Sequence, residues 1–336
     1  MGENFMLSLS DLKFSKYKIS LHSTFQTALR SVNDFEVYKL EISTSDERVG
    51  CGEVVATPAI TGVSADQLER DIYDKLIPLL QNEKILSVED TYHQIKEKLP
   101  LNPTARALGD LAVISLLKSF KTNAVKTDVT LPITEVVHIS DLIEARVKDG
   151  FNVFKMKLGS ASLTKNVEMV QRTFEYLPES ASLRIDPNQA WSVDYSLQFL
   201  EKLDQLKIKL DYLEQPVNRF DFEGLAKIHE NTDVPIMADE SCFDIEDLER
   251  LISINAVDWV NIKILKSGGA TPARKIAMRA KEAGLILSFG CMIESPLGVR
   301  AAMELAQEFE PLGVHDLDAA WWYPQSELVY SDGMVR

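Results

Sequence analysis

Arg184-Ile185-Asp186-Pro187-Asn188, Tyr212-Leu213-Glu214-Gln215-Pro216 and Met237-Ala238-Asp239-Glu240-Ser241 decide how the rest of this chain is read. Each is a short apolar run that ends in a carboxylate. Two lysine stretches flank them, Phe154-Lys155-Met156-Lys157-Leu158-Gly159 and Asn261-Ile262-Lys263-Ile264-Leu265-Lys266-Ser267-Gly268-Gly269. An apolar strand with a charged end is explained when that end opens into a site. Asp186, Glu214 and Asp239 recur at intervals of about one strand-plus-helix unit, so a parallel sheet would set them side by side.

The surrounding rhythm supports such a sheet. From about residue 128, strand-like runs at 130–138, 152–157, 182–186, 209–214, 234–238, 257–264, 285–290 and 313–318 alternate with amphipathic stretches. Those stretches are 163–177, 192–204, 221–231, 244–254, 270–283 and 296–309. This alternation means parallel strands joined by crossover helices. Eight strands suggest a TIM-type barrel, with an open doubly wound sheet as the alternative. In a barrel the catalytic groups belong at the C-terminal strand ends, where the quoted charges fall.

Residues 13–57 read as strands, since Lys18–Leu21 and Val37–Ile42 alternate, with Asn33-Asp34 between strand-like runs. Helical spacing follows at 65–82, 87–99 and 103–120, with Ser64 and Ser87 as expected N-caps. Strands followed by helices make an α+β unit ahead of the barrel.

The chain has 336 residues, 45% apolar and 26% charged, as in ordinary globular proteins. A formal charge of -15 argues against nucleic acid or an anionic membrane as a partner. Cys51, Cys242 and Cys291 are too widely spaced for a C-x-x-C metal pair, and they fit a reducing, cytoplasmic compartment. The N-terminus has no signal-peptide pattern, and no run is long enough to span a membrane.

Converging carboxylates at 186, 214 and 239 repel one another unless a cation intervenes. An all-oxygen set suits a hard ion, Mg²⁺ before Mn²⁺ or Ca²⁺. Ion pairs with the nearby lysines are the competing explanation. Lys155 and Lys157, two apart on a strand, share a face. Mutual repulsion and burial are expected to lower their pKa towards the range of a general base. Lys263, four strands on, approaches from across the barrel mouth. Lys266 is expected to be a structural loop residue, Gly268-Gly269 a plain loop, and all five histidines surface or satisfied groups. Asp316 and Asp318 also share a face and could grip a substrate ammonium.

In this order, K-x-K, D-x-N, E-Q-P, A-D-E-S and N-I-K resemble the enolase superfamily, in the subgroup that includes muconate-lactonising enzymes. The resemblance covers nearly the whole chain. It implies a modified TIM (β/α)7β barrel at 128–319 and an α+β capping domain at 1–127, to which 320–336 return. Within the subgroup the chain is most similar to dipeptide epimerases, in particular those acting on L-Ala-D/L-Glu. His315-Asp316-Leu317-Asp318, the strand-seven loop Gly290–Ser295 with Met292 and Glu294, Phe25–Arg30, and Ala59–Gly62 with Thr61 carry that similarity.

The resemblance implies Lys157 and Lys263 as the acid/base pair, assisted by Lys155. It implies Asp186, Glu214 and Asp239 as Mg²⁺ ligands. Asp316 and Asp318 would bind the dipeptide ammonium and Arg30 an acidic side chain. Thr61, Met292 and Glu294 would complete the substrate site. A small dipeptide is the expected partner, and a homo-oligomer is compatible with it. The alternatives are o-succinylbenzoate synthase, N-succinylamino acid racemase, and a catalytically silent dipeptide binder. Two features depart from the pattern: Lys121–Ala124 lack the usual Gly- and Pro-containing link, and the chain stops at Arg336, which puts the completeness of the cap in question.

Overall fold

The computed structural model describes residues 7–82, 84–120, 122–324 and 326–336, so the first six residues and the linker's Lys121 lie outside it. The chain begins with an antiparallel sheet of β1 (Leu9–Gln26), β2 (Ser31–Thr44) and β3 (Val49–Val55), in that order. Tyr38, Leu40 and Ile42 are buried at every second position of β2, the period of a sheet with one covered face. Asn33-Asp34 do not separate strands: both lie inside β2, with Asp34 opposite Ser20. Thr27 makes the turn instead. Its N–H donates to the Arg30 carbonyl at 2.9 Å, and its hydroxyl accepts from the N–H groups of Leu29 and Arg30.

Short α1 (Pro58–Thr61) and α2 (Ala65–Asp71) follow. A π turn at Ile72–Leu76 leads into α3 (Ile77–Asn82), and α4 (Val88–Lys98) and α5 (Pro103–Leu117) come next. Ser64 and Ser87 are N-caps, accepting from Gln67 and Asp90 N–H groups. Helix α5 ends three residues before the expected Phe120 and is buried along nearly its whole length. It reaches β3 so closely that a Cβ on Gly52 would lie 2.1 Å from the Leu108 carbonyl oxygen.

β4 (Val125–Thr127) precedes the parallel strands β5 (Val129–Leu131), β6 (Val153–Lys157), β7 (Ser182–Asp186), β8 (Leu213–Glu214) and β9 (Ile236–Ala238). Helices α6 (Ile139–Lys148), α7 (Leu163–Tyr176), α8 (Val193–Gln205) and α9 (Phe222–Glu230) connect them. The pattern continues through α10 (Ile245–Ser253), β10 (Trp259–Lys263), α11 (Ile264–Ser267), α12 (Ala270–Glu282), β11 (Ile286–Gly290) and α13 (Pro296–Phe309). Strands β5 to β11 form one curled sheet in sequence order, covered by helices. The strand expected over 130–138 stops at Leu131, because Pro132 has no N–H to continue the ladder, and Val136–His138 form a 3₁₀ turn.

The last expected strand is short, β12 (Val314–His315), and pairs with β4. Closure runs through residue 316: Asp316 N–H donates to Phe289 O at 3.0 Å, and Cys291 N–H to Asp316 O at 2.9 Å. The chain end adds β13 (Tyr330–Ser331) and β14 (Met334–Val335), giving a sheet of order β12-β4-β14-β13. A 3₁₀ turn at Ala319–Trp322 packs on β1, with the Trp322 ring 5.0 Å from that of Phe25. Among the described residues, no helix is long and apolar enough to cross a membrane.

Candidate active site

Strand alternation directs Lys155 and Lys157 of β6 to one face, and both are buried inside the curled sheet. Lys155 Nζ lies 2.9 Å from Glu214 Oε1, 2.8 Å from Asp316 Oδ2 and 3.4 Å from Asp186 Oδ2. Lys157 Nζ donates to Asp186 Oδ2 at 2.5 Å. From β10, four positions along the sheet, Lys263 reaches Asp239 Oδ2 at 3.0 Å and Asp316 Oδ2 at 3.3 Å. Asp316 therefore joins lysines from two opposite strands.

Lysine–lysine repulsion does not set the protonation here. Burial opposes the ammonium of Lys155, but Asp316, Glu214 and Asp186 outweigh it and raise its pKa well above the ordinary value. Lys263 is raised in the same way, with Asp239 and Asp316 overcoming burial. Burial likewise opposes charge on Asp239 and Asp316, yet the lysines hold both below the usual carboxylate range. The expected depression is thus reversed for Lys155, because its closest charged neighbours are carboxylates, at 2.8–3.4 Å.

Asp186, Glu214 and Asp239 each offer an oxygen within 4.8 Å of the others, and all three are buried. Ligands of one hard cation with bonds of about 2.1 Å span roughly 4 Å, so the set fits Mg²⁺ in size and donor type. Three buried carboxylates converging without His or Cys are what such an ion requires.

Above this layer lies a small, partly open cavity of about 50 Å³, lined from the barrel by Lys157, Asn188, Asp239, Lys263, Asp316 and Asp318. Met292 and its neighbours line another wall, and Phe25, Thr27, Leu29, Arg30 and Ile60 come from the first sheet and α1. Such a space holds only a few waters. An open cleft of about 870 Å³ adjoins it, sharing Thr27, Leu29, Lys157 and Asn188.

Arg30 is the notable charge on the upper wall. Its guanidinium is 3.5 Å from Thr57 Oγ1 and has no carboxylate within ion-pair distance among the described residues. Burial lowers its pKa to about 10, which still leaves it charged at neutral pH. Asp318 accepts from Thr130 N–H at 2.7 Å and from the Trp322 indole at 3.1 Å. Those bonds fix it at the cavity edge beside Asp316.

Three residues expected at the substrate site, Thr61, Lys155 and Glu294, are not on the cavity wall, Lys155 lying beneath it among the carboxylates. Thr61 hydroxyl donates to the Thr57 carbonyl, and Ile60 faces the cavity instead. Glu294 turns beneath its loop, where Oε1 accepts from Met292 N–H at 2.9 Å. His315 is satisfied, as expected: Nδ1 accepts from Phe289 N–H, Nε2 pairs with the Glu310 carbonyl, and burial lowers its pKa to about 4.

Sequence reasoning assigns no part in the site to four neighbours of the carboxylates, of which Lys266 is expected to be structural. Lys266 lies in α11, not in a loop, and donates to Asp239 Oδ1 at 2.6 Å and to Asn261 O at 2.9 Å. Asn261 donates to Glu214 and Asp316, both at 3.0 Å. Asn188 N–H donates to Asp186 Oδ1 at 2.8 Å, and Gln215 bonds the loop that carries Asp239. Asn188, Gln215 and Asn261 are the polar letters of the D-x-N, E-Q-P and N-I-K motifs, which is the one signal that could have drawn attention to them.

The family model described as enolase C-terminal domain-like matches residues 138–336. The chain belongs to that family. An L-Ala-D/L-Glu epimerase of Francisella tularensis subsp. novicida (strain U112) is 31% identical over 97% of this chain and 94% of its own. The substrate-liganded L-Ala-D/L-Glu epimerase of Bacillus subtilis superposes with a TM-score of 0.92 at 28% identity, covering 98% of this chain and 96% of that one. A dipeptide epimerase of Enterococcus faecalis V583, complexed with Mg and L-Leu-L-Tyr, gives a TM-score of 0.89 at 28% identity, covering 98% and 97%. This enolase-family chain is accordingly an isomerase, with the curled parallel sheet and antiparallel cap of its relatives.

Proposed function

We propose that the protein is a Mg²⁺-dependent dipeptide epimerase that inverts the α-carbon of the second residue, converting L-Ala-L-Glu to L-Ala-D-Glu. One observation carries this reading. A single cavity is lined by two lysines from opposite strands, by Asp316 and Asp318, and by an arginine that has no carboxylate partner among the described residues. The domain reading goes with it: a cap over 1–127, rejoined by 320–336, supplies Arg30, and a barrel over 128–319 supplies the reacting groups.

In this mechanism Asp316 and Asp318 hold the N-terminal ammonium, and Arg30 pairs with the glutamyl side-chain carboxylate. The α-carbon is thereby held between Lys157 and Lys263. One lysine, as the free amine, removes the α-proton, and the electron pair spreads onto the neighbouring carboxylate. The other lysine, as an ammonium, delivers a proton to the opposite face. Asp186, Glu214 and Asp239 would hold the Mg²⁺, which supplies positive charge against that carboxylate as its negative charge grows. Lys155 stays an ammonium among Glu214, Asp316 and Asp186, and keeps these acids in place.

The test is incubation of L-Ala-L-Glu with enzyme and Mg²⁺ in D₂O, followed by NMR. Deuterium at the glutamyl α-carbon together with the D-epimer is the expected result. Lys157→Ala and Lys263→Ala should each abolish epimerisation. Tight dipeptide binding without exchange would establish a silent binder instead.

A further inference from the structure

Glu214 closes β8, and the next residue, Gln215, has φ +36°, a left-handed backbone that residues other than glycine rarely adopt. Such strain persists only where the surroundings over-determine it. Here they do. The Gln215 side chain is fully buried, and its amide uses its whole hydrogen-bonding capacity. Oε1 accepts from the N–H groups of Asp239 at 3.1 Å and Ser241 at 2.9 Å. Nε2 donates to Val217 O at 3.0 Å and Ser241 Oγ at 2.8 Å.

The backbone of the same residue extends these links to both sides. Gln215 N–H donates to Met237 O in β9 at 2.9 Å, and its carbonyl accepts from Gln189 N–H at 2.8 Å, three residues beyond Asp186. One residue therefore ties together the three strand ends that carry Asp186, Glu214 and Asp239. Its bond to Asp239 is made at the backbone of that acid, so it fixes where the carboxylate starts and leaves its oxygens free for other partners.

We infer that Gln215 is the positioning residue that sets the spacing of the three carboxylates and hence the affinity of the site for a divalent cation. This rests on the metal reading given above. Gln215 touches no reacting atom. Groups that orient metal ligands typically account for about 10–100-fold in metal affinity.

Gln215→Gly is the informative variant, because glycine accepts the backbone angle and removes only the side-chain links. Mn²⁺ binding, followed by the loss of free-ion electron paramagnetic resonance signal, is measured on the wild type, Gln215→Gly and Gly52→Ala. The last variant, in the β3–α5 contact and outside the carboxylate cluster, controls for general destabilisation. Circular dichroism checks that each is folded. The expected result is about 10–100-fold weaker Mn²⁺ binding in Gln215→Gly and wild-type binding in Gly52→Ala. Wild-type affinity in a folded Gln215→Gly overturns the positioning role and leaves the metal site standing. Equal weakening in both variants also overturns it, since loss of stability alone would then suffice. A wild-type protein that binds no Mn²⁺ or Mg²⁺ overturns the metal reading itself, and the inference with it.

Discussion

Glu294→Gln tests how the strand-seven loop is held. Glu294 is 2% exposed. Its Oε1 accepts from Met292 N–H, whereas Oε2 has no hydrogen-bond partner and lies where a Cβ on Gly298 would be, 2.2 Å away. Burial pushes the Glu294 pKa from its ordinary 4.5 up to about 7. Ionising it in the folded protein therefore costs about 3 kcal/mol more than in the unfolded chain, at about 1.4 kcal/mol per pH unit. The first turn of α13 lies beside Oε2 and favours the anion by roughly 0.3–1 kcal/mol, which leaves about 2–3 kcal/mol.

Because the folded-state pKa is raised, the native state binds the extra proton. This contribution is fully present below pH 4.5 and is lost as pH rises to about 7. Glutamine keeps the acceptor for Met292 and cannot ionise, but it buries an N–H group without a partner, costing about 1–3 kcal/mol at every pH. The variant should therefore be less stable than wild type at pH 5 and close to it, or above it, at pH 8. Urea unfolding of both proteins at the two pH values measures this. The wild-type-minus-variant difference should shrink by about 2–3 kcal/mol between pH 5 and pH 8. A difference independent of pH would refute the account, since Glu294 would then be ionised throughout.

Arg30→Met should lower kcat/KM for L-Ala-L-Glu by roughly 10–100-fold, the worth of a charge-assisted bond of about 1.5–3 kcal/mol. Its effect on a dipeptide whose second residue is neutral but polar, such as glutamine, should be small, and steady-state kinetics on both substrates would show the contrast. Mg²⁺ at about 100 times its Kd should stabilise the protein by about 2.7 kcal/mol, and Asp239→Asn should lose most of that gain in thermal unfolding. Gly52→Ala should lose about 1–3 kcal/mol in urea, because its Cβ meets the Leu108 carbonyl. Asp110→Ala should also destabilise, by about 0.5–2 kcal/mol, since Asp110 accepts from Thr271 N–H and hydroxyl at the start of α12.

The barrel and its charged rim were legible because period-2 and period-3.6 patterns are written along the chain. A carboxylate at the end of an apolar run needs no tertiary information to stand out. The turn at Thr27 was harder to read, because a threonine hydroxyl capping its own turn competes with the more familiar Asn-Asp signal two strand residues away. The direction of the Lys155 shift was misread for a related reason. Sequence distance puts Lys157 nearest, while folding brings Asp316 to 2.8 Å from a lysine 161 residues away. Gln215 reads only as a letter of the E-Q-P motif and Lys266 only as a structural loop residue, because each acts on Asp239 from a different strand end. Neither bond leaves a periodic trace.

Overall similarity does not choose the substrate. Relatives whose structures hold an L-Ala-D/L-Glu epimerase substrate or L-Leu-L-Tyr are equally identical to this chain and nearly equal in fold similarity. The choice must lie in particular cavity residues, and the physical asymmetry at Arg30 supplies one. A half-buried guanidinium with no carboxylate partner among the described residues costs more when a hydrophobic side chain seals it from water, because its donors then lose their last partners. An acidic side chain instead satisfies them in a fork. On the proposed reading, Arg30 would reject apolar second residues as well as attract acidic ones. Such discrimination exceeds what pocket shape alone gives for side chains of similar size. Replacing Arg30 with methionine should therefore raise kcat/KM for L-Ala-L-Leu as it lowers that for L-Ala-L-Glu. A variant that loses the second activity without gaining the first would show that Arg30 attracts without rejecting.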